Sequence, residues 1–347
     1  IELPPETHAT QQRLYEKVSP YVPHNHGRTR RALKAIAAME KRDGRRKLVR
    51  ARVGVILSTG GFAYDRTLIG RHDPEFARHY DVMQRLSTMG SDGSGLNMAV
   101  SAGAAVGWMD SFYIARNIAP PEALLTGVLV NRRGERFVPE DAYVSLIGGE
   151  IARQPEGDAW LLVTGPCFRR SVVEALTCGW QRFTYFGLPM LINFALGGTR
   201  RGRNVASLAR KLGVPVDRLV ATLSGHDADI AAGRPDAVGK TEVLRKPLGK
   251  GPIWAINMSM SNRHALTKFM TLGGLKVDES TGAVTRDDGA PIHGLYAAGM
   301  SAVGLHSNGY ISGLSIADGV FSGRRAGRSA ARLRTASAQG LKRTGTA

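Results

Sequence analysis

Cysteine is nearly absent: of 347 residues, only Cys167 and Cys178 are cysteines. Two thiols cannot build a disulfide framework, so stability must come from a buried apolar core, and a reducing, cytoplasmic setting is expected. No apolar run reaches the ~18 residues that a membrane-crossing helix needs, so a soluble protein is expected. Acidic side chains are scarce beside basic ones, 29 against 47, leaving a formal charge of +18. Nucleic acid is disfavoured even so, because the basic clusters lack interleaved aromatics and no RNP, zinc-finger or basic-zipper pattern occurs. There is no G-x-S-x-G elbow and no paired zinc-ligand spacing; "HNH" at 24–26 has no partner cluster, so no metal is expected. The stretch "GRPDAVGKT" (233–241) has five residues between its glycines and no apolar strand before it, which excludes a P-loop. Nowhere does a strand run into G-x-G-x-x-G with an acidic residue about 20 positions on. The usual pyrophosphate cradle of dinucleotide-binding proteins is therefore missing from these residues.

What is abundant is glycine, 42 residues without a periodic repeat, beside 43% hydrophobic residues. That composition predicts a globular chain long enough for two cores, with many tight turns and close backbone approaches. A short helix is expected around "THATQQRLYEKV" and a charged hairpin over 40–57, whose second arm ends in an apolar strand, Val53 to Leu57. That strand runs into "STGGF" (58–62), the layout of an α/β sheet edge where ligands bind beyond the strand ends. "GSDGSGLNMAVSAGAAVGWMD" (90–110) predicts a helix capped by Ser91 or Asp92, and "NRRG" (131–134) a hairpin turn. Two amphipathic helices separated at "GVP" are predicted over 204–233, with Leu208, Leu212, Leu219 and Leu223 inward. The last helix is predicted from Ser312–Ser315 to about Leu333, with Ser315, Gly319, Gly323 and Gly327 forming one stripe that lies close against a strand.

Two glycine-rich segments carry the chemistry. "ILSTGGF" can turn backbone N–H groups toward phosphates or ribose, although many strand-to-loop turns look alike. "HSNGYISGLSIAD" (306–318) sets Tyr310 and Ser312 before a helix start whose dipole carries about half a positive elementary charge. Such a terminus suits a ring edge that becomes anionic on reduction, as a flavin does, or is an ordinary capped helix. Tyr310, Ser312 and Tyr143 of "PEDAY" are the candidate acid–base hydroxyls, with buried structural tyrosines as the alternative. His306 has the position of a general acid, yet a lone histidine is more often structural.

Taken in order, "VGVILSTGGF", "GSDGSG…SAGAAV", "GVLVNRRGERFVPED", "TLGGLKVDESTGAVTRDDGAPIHGLYAAG" and "NGYISGLSIADGVFSGRRAG" resemble the fumarate reductase/3-ketosteroid dehydrogenase family of FAD flavoproteins. The resemblance runs from about residue 48 to 333; residues 1–39 are unassigned. Fumarate reductases of the family read "HGANRLGGNSLAD" where this chain has "HSNGYISGLSIAD", so Tyr310 replaces the arginine that would clamp a carboxylate. A tyrosine, then Ser-Gly two residues on, together with a tyrosine after "VPED", resembles the 3-ketosteroid Δ4-(5α)-dehydrogenases. The resemblance implies an α/β (α+β) fold: an incomplete Rossmann-like FAD-binding domain from 40–62 and 258–334, an inserted α+β cap domain from 63–257, and a tail at 335–347. It implies FAD as cofactor, with Ser58, Thr59, Gly60, Gly61, Ala298, Gly299, Gly313, Leu314, Ser315 and Ile316 around it. It implies a 3-oxo-steroid as substrate, desaturated next to its ketone with Tyr310, Ser312 and Tyr143 in the catalytic cluster. A second polypeptide or a further amino-terminal segment is expected to complete the FAD site. The competing expectations are a fumarate reductase-like flavoprotein and a non-catalytic, basic remnant of the fold.

Overall fold

The computed structural model describes residues 1–18, 22–265 and 267–343. It divides into two compact units. The first takes in Ile1–Ala77, Arg85–Phe112 and the chain from Met270 onward; the second takes in Arg78–Gln84 and Tyr113–Phe269.

In the first unit, helices Pro5–Tyr15 and Val22–Asp43 come first. The hairpin expected over 40–57 does not form. Ala32, Ile36 and Met39 recur at helical spacing and are buried, so the helix continues to Asp43. Of the expected hairpin only the strand Val55–Leu57 remains, running parallel to Pro291–Ala297 with Leu57 opposite Ala297. Ala283–Thr285 pairs antiparallel with the far side of Pro291–Ala297, which leaves Val55–Leu57 at the sheet edge among the described residues. Val55 and Ile56 are 47% and 39% exposed there.

Residues following the first strand fold back onto it. The Tyr64 N–H donates to the Ser91 carbonyl (2.9 Å) and the Gly93 N–H to the Gly61 carbonyl (3.3 Å). Val106–Gly107 then pairs with Gly274–Leu275. These bonds hold residues 85–112 to the first unit, although the sequence predicts a domain change at 63. The predicted helix here is Ser94–Ser101; Asp92 accepts from the Ser94 N–H (3.0 Å), and Gly93 itself stands at the cap with φ +74°.

The second unit is built on an antiparallel sheet in the order Val128–Asn131, Ala159–Thr164, Ile253–Asn257, Arg200–Gly202. Helices Val205–Leu212 and Val216–Ala231 cover it, separated at "GVP" as predicted. Leu208, Leu219 and Leu223 pack on Val128, Val130, Leu162 and Ile253, while Leu212 is only partly buried. Each fully buried leucine contributes about 1.5–3 kcal/mol of transfer free energy. The "NRRG" turn is present: the Asn131 N–H donates to the Glu135 carbonyl, and Gly134 takes φ +77°.

Beneath that turn lies a buried ionic cluster. Arg136 donates to both carboxylate oxygens of Glu140 (3.2 and 2.9 Å) and to Asp236 (2.8 Å). Lys240 Nζ sits 3.2 Å from Glu140 and donates to the Gly127 carbonyl at 2.5 Å. The "GRPDAVGKT" segment therefore turns its lysine inward, and Asp236 caps the Val238 and Lys240 N–H groups. His226 is wedged beside Arg136 (3.3 Å), its other ring nitrogen 3.4 Å from the Lys246 carbonyl. Burial, reinforced by Arg136, pushes the His226 pKa below 6.5. Burial also opposes ionisation of Asp236, but Arg136 and the capped N–H groups prevail and hold its pKa at about 2 against an ordinary 3.8.

Both depressed values act in one direction. The contribution of each group is present above its unfolded pKa and lost as pH falls toward the folded one. Urea unfolding is thus expected to weaken below about pH 6.5 as His226 must charge, and again between 3.8 and about 2 through Asp236. In His226→Gln the first of these losses should flatten; an unchanged slope between pH 7 and 5 would exclude His226 as its source.

The last described helix, Leu314–Arg343, runs past the predicted stop at Leu333; residues 344–347 of the expected tail lie outside the described residues. Its glycine stripe does not pack as predicted. A Cβ built on Gly319, Gly323 or Gly327 would meet no heavy atom within 4 Å. The buried line of this helix is instead Asp318, Ser322 and Ala326, four residues apart, with Ala326 against Tyr296 and Ala298. No helix among the described residues is long and apolar enough to cross a membrane.

Candidate functional site

Two parallel strands end side by side in the first unit, where the Ala298 N–H donates to the Leu57 carbonyl at 2.9 Å. Their loops form the two halves of the candidate site. In the first, Ser58 and Thr59 are exposed, Gly60 is half-buried and Gly61 is buried. Ser301 bridges the loops: its hydroxyl accepts from the Gly60 N–H (3.1 Å) and donates to the Gly60 carbonyl (3.2 Å). The Gly60 N–H expected to face phosphate or ribose is therefore engaged inside the protein. Glycine is required at 60 and 61 by close approach. A Cβ would lie 2.9 Å from Ser91 Oγ at Gly60, where φ is +88°, and 2.5 Å from Thr271 Oγ1 at Gly61.

The second loop turns at Gly299 (φ +60°), whose N–H donates to Ser322 Oγ at 2.8 Å. That hydroxyl donates onward to the Asp318 carbonyl (2.6 Å), so the loop is tethered to the helix that follows it. Asp318 also holds the imidazole of His306, Nδ1 to Oδ2 at 2.8 Å, and accepts from the Leu305 N–H at 3.4 Å. Burial alone would raise the Asp318 pKa, but the His306 bond and charge, with Leu305 and Arg325, outweigh it and keep the carboxyl below its ordinary range. His306 is fully buried, and its Nε2 has no hydrogen-bond partner among the described residues.

At the helix entrance, Gly309 and Gly313 take φ +113° and +92°. Tyr310 is half-buried, and its phenol lies 3.1 Å from Ser315 Oγ in the first helical turn. Ser312, the hydroxyl expected to partner Tyr310, is exposed, as is Ile316. The N–H groups of Leu314 and Ile316 donate to the carbonyls of Ile311 and Gly313. Gly313 and Ser315 keep N–H groups with no backbone acceptor among the described residues. Tyr143 belongs to the other unit, where it precedes the helix Val144–Ala152 and is 40% exposed.

A Cβ on Gly299, Gly309 or Gly313 would meet nothing within 4 Å. Gly309 and Gly313 thus present bare backbone to open space at the positive end of a long helix. A planar ring with an electron-rich edge fits there, for the reason that anions favour helix amino termini.

The matching family model, described as FAD binding domain, spans residues 24–316. The chain belongs to that family. FAD is accordingly its cofactor, and the bare glycines and helix terminus fit the flavin. The 3-oxo-5-alpha-steroid 4-dehydrogenase of Comamonas testosteroni is 32% identical over 212 residues, 61% of this chain and 39% of that protein. A probable fumarate reductase of Shewanella frigidimarina is 26% identical over 288 residues, 80% of this chain and 44% of that protein. Among solved structures, the 3-ketosteroid-Δ4-(5α)-dehydrogenase of Rhodococcus jostii RHA1 in complex with 4-androstene-3,17-dione matches with a TM-score of 0.68 and 30% identity. That match covers 83% of this chain and 55% of the other. The chain therefore spans about half, or less, of the length of these relatives. Its FAD-binding domain and mixed α/β flavoprotein fold are those of the fumarate reductase/3-ketosteroid dehydrogenase family.

Ser301, Ser322 and Asp318 organise the site, yet sequence reasoning passed over them. The signal for Asp318 and Ser322 was the four-residue spacing Asp318–Ser322–Ala326, a second stripe beside the glycine one on the same helix; Ser301 had none.

Proposed function

We propose that the chain is part of an FAD-dependent dehydrogenase that desaturates a 3-oxo-steroid next to its ketone. The observation that carries this reading is the Tyr310 phenol, hydrogen-bonded to Ser315 at a helix entrance lined by bare glycines. A phenol suits a neutral carbonyl, whereas an arginine at this place would suit a carboxylate. Ketones acidify the neighbouring C–H, and a donor at the ketone oxygen stabilises the enolate that develops. The desaturation removes a proton from the α-carbon and a hydride from the next carbon, and bound FAD supplies the hydride acceptor. Tyr310 and Ser312 serve the proton transfer or hold the ketone, and Tyr143 is a further candidate hydroxyl. Ser315 Oγ, within hydrogen-bond distance of the phenol, can pass its proton on. Likeness to the Comamonas and Rhodococcus enzymes supports the substrate class.

Completion of the flavin site belongs to the same proposal. Among the described residues, Val55–Leu57 has an unpaired edge and the glycine stripe of the last helix faces open space. A further segment or a second polypeptide, carrying the missing pyrophosphate cradle, would lie against them.

Spectral titration with FAD tests this, on the chain alone and with a family amino-terminal segment bearing G-x-G-x-x-G added in trans. With the segment present, a bound yellow flavin should bleach when a saturated 3-oxo-steroid is added anaerobically. If steroids leave the colour unchanged while the chemically reduced flavin is reoxidised by fumarate, the reductase reading replaces this one. If no flavin binds in either case and polyanions bind in a salt-dependent way, the basic remnant is the better description.

A further inference from the structure

Within the second unit, a narrow pocket of about 50 Å³ opens between the strand Thr267–Thr271 and the segment around Phe186, Pro189 and Met190. One buried water occupies about 10–15 Å³ on this measure, so the pocket has room for a carboxylate and a few carbons but not for four fused rings. Its walls are mostly apolar, yet its charged groups are all cationic. Along the strand, Thr267, Phe269 and Thr271 are buried, while Lys268 and Met270 share the half-exposed face, as strand alternation dictates. Lys268 lines the pocket, and among the described residues its ammonium makes no hydrogen bond and no ion pair. Partial burial pulls its pKa below the ordinary 10.5.

Arg116 also lines the pocket and is 1% exposed. Its guanidinium donates to the carbonyls of Met258 (3.0 Å), Ala265 (3.1 Å) and Ser259 (2.5 Å), and to Thr267 Oγ1. None of these partners is an acid. Burial lowers its pKa to about 9, which still leaves it cationic near neutral pH. A buried arginine is ordinarily paired with a carboxylate, because partial dipoles alone offset its desolvation incompletely. Here two cations adjoin one pocket and no acid neutralises either. Asn117 also lines it, with a side-chain amide that makes no hydrogen bond among the described residues.

We propose that this pocket is a subsite for the carboxylate end of an amphipathic small molecule. Lys268 and the Asn117 amide would bind the carboxylate directly, and Arg116 would add its field. Phe186, Pro189 and Met190 would cover the adjoining carbons. The proposal stands apart from the function proposed above, since every residue it uses belongs to the second unit.

The test reads the carboxylate preference directly. Hexanoate and 1-hexanol have the same carbon tail, and ligand-observed NMR can titrate each into the chain without flavin. Hexanoate should bind about tenfold more tightly or better, the range expected of a charge-assisted hydrogen bond. Lys268→Met should abolish that preference while leaving hexanol binding and the melting temperature unchanged, and Lys268→Arg should retain it. Equal affinity for acid and alcohol, or a preference that survives in Lys268→Met, overturns the subsite.

Discussion

Tyr310→Phe should leave flavin uptake unchanged in the completed enzyme while lowering steroid-dependent flavin reduction by about 10²–10⁴-fold, the range of a lost proton-transfer group. The substitution keeps the ring, so the packing of a half-buried residue is preserved. What it removes is the hydroxyl 3.1 Å from Ser315 Oγ, and with it a donor at the helix entrance. A merely structural tyrosine would lose stability instead, so the thermal midpoint is the control. Rapid-reaction absorbance at the flavin band checks the rate; turnover within a factor of about three of the parent would remove Tyr310 from the chemistry.

Glu140→Ala should be the most destabilising single change in the second unit, costing about 3–5 kcal/mol. Glu140 is fully buried and accepts from Arg136, Lys240 and the Leu129 N–H (2.7 Å). Its loss strands two buried cations against one remaining carboxylate, Asp236. The pairing is a liability as much as a support, because a buried ion pair is hard to remove by halves. Glu140→Ala with Lys240→Met should therefore recover part of the loss, since the second change removes one stranded charge. Urea midpoints of the four proteins close the cycle. An additive double variant would mean that Lys240 is satisfied by the Gly127 carbonyl alone.

Local pattern made much of the chain legible. The leucines of 204–233 foretold two helices and their buried faces, and "NRRG" foretold its turn. Motif order pointed to the flavoprotein family and to FAD, which the family match over 24–316 supports. What stayed hidden depended on distant partners. The helix through Asp43 was obscured because its charged residues outnumber the buried Ala32, Ile36 and Met39. The Gly60 N–H looked free because its acceptor, Ser301, lies 241 residues away. The glycine stripe looked like a packing surface because small residues usually mark one; the polar stripe of Asp318 and Ser322 beside it meets the loop instead. The Arg116 and Lys268 pocket had no local signature, being drawn from segments over 140 positions apart.

The bare edge of Val55–Leu57 bears on handling in the test tube. A strand with half-exposed valine and isoleucine and unclaimed main-chain groups is a template on which another molecule can grow a sheet. Concentrated stocks of the chain by itself should form soluble aggregates that scatter light. Supplying a segment able to pair with that edge should clarify them, so turbidity becomes a colour-free readout of assembly, independent of whether any flavin has been taken up.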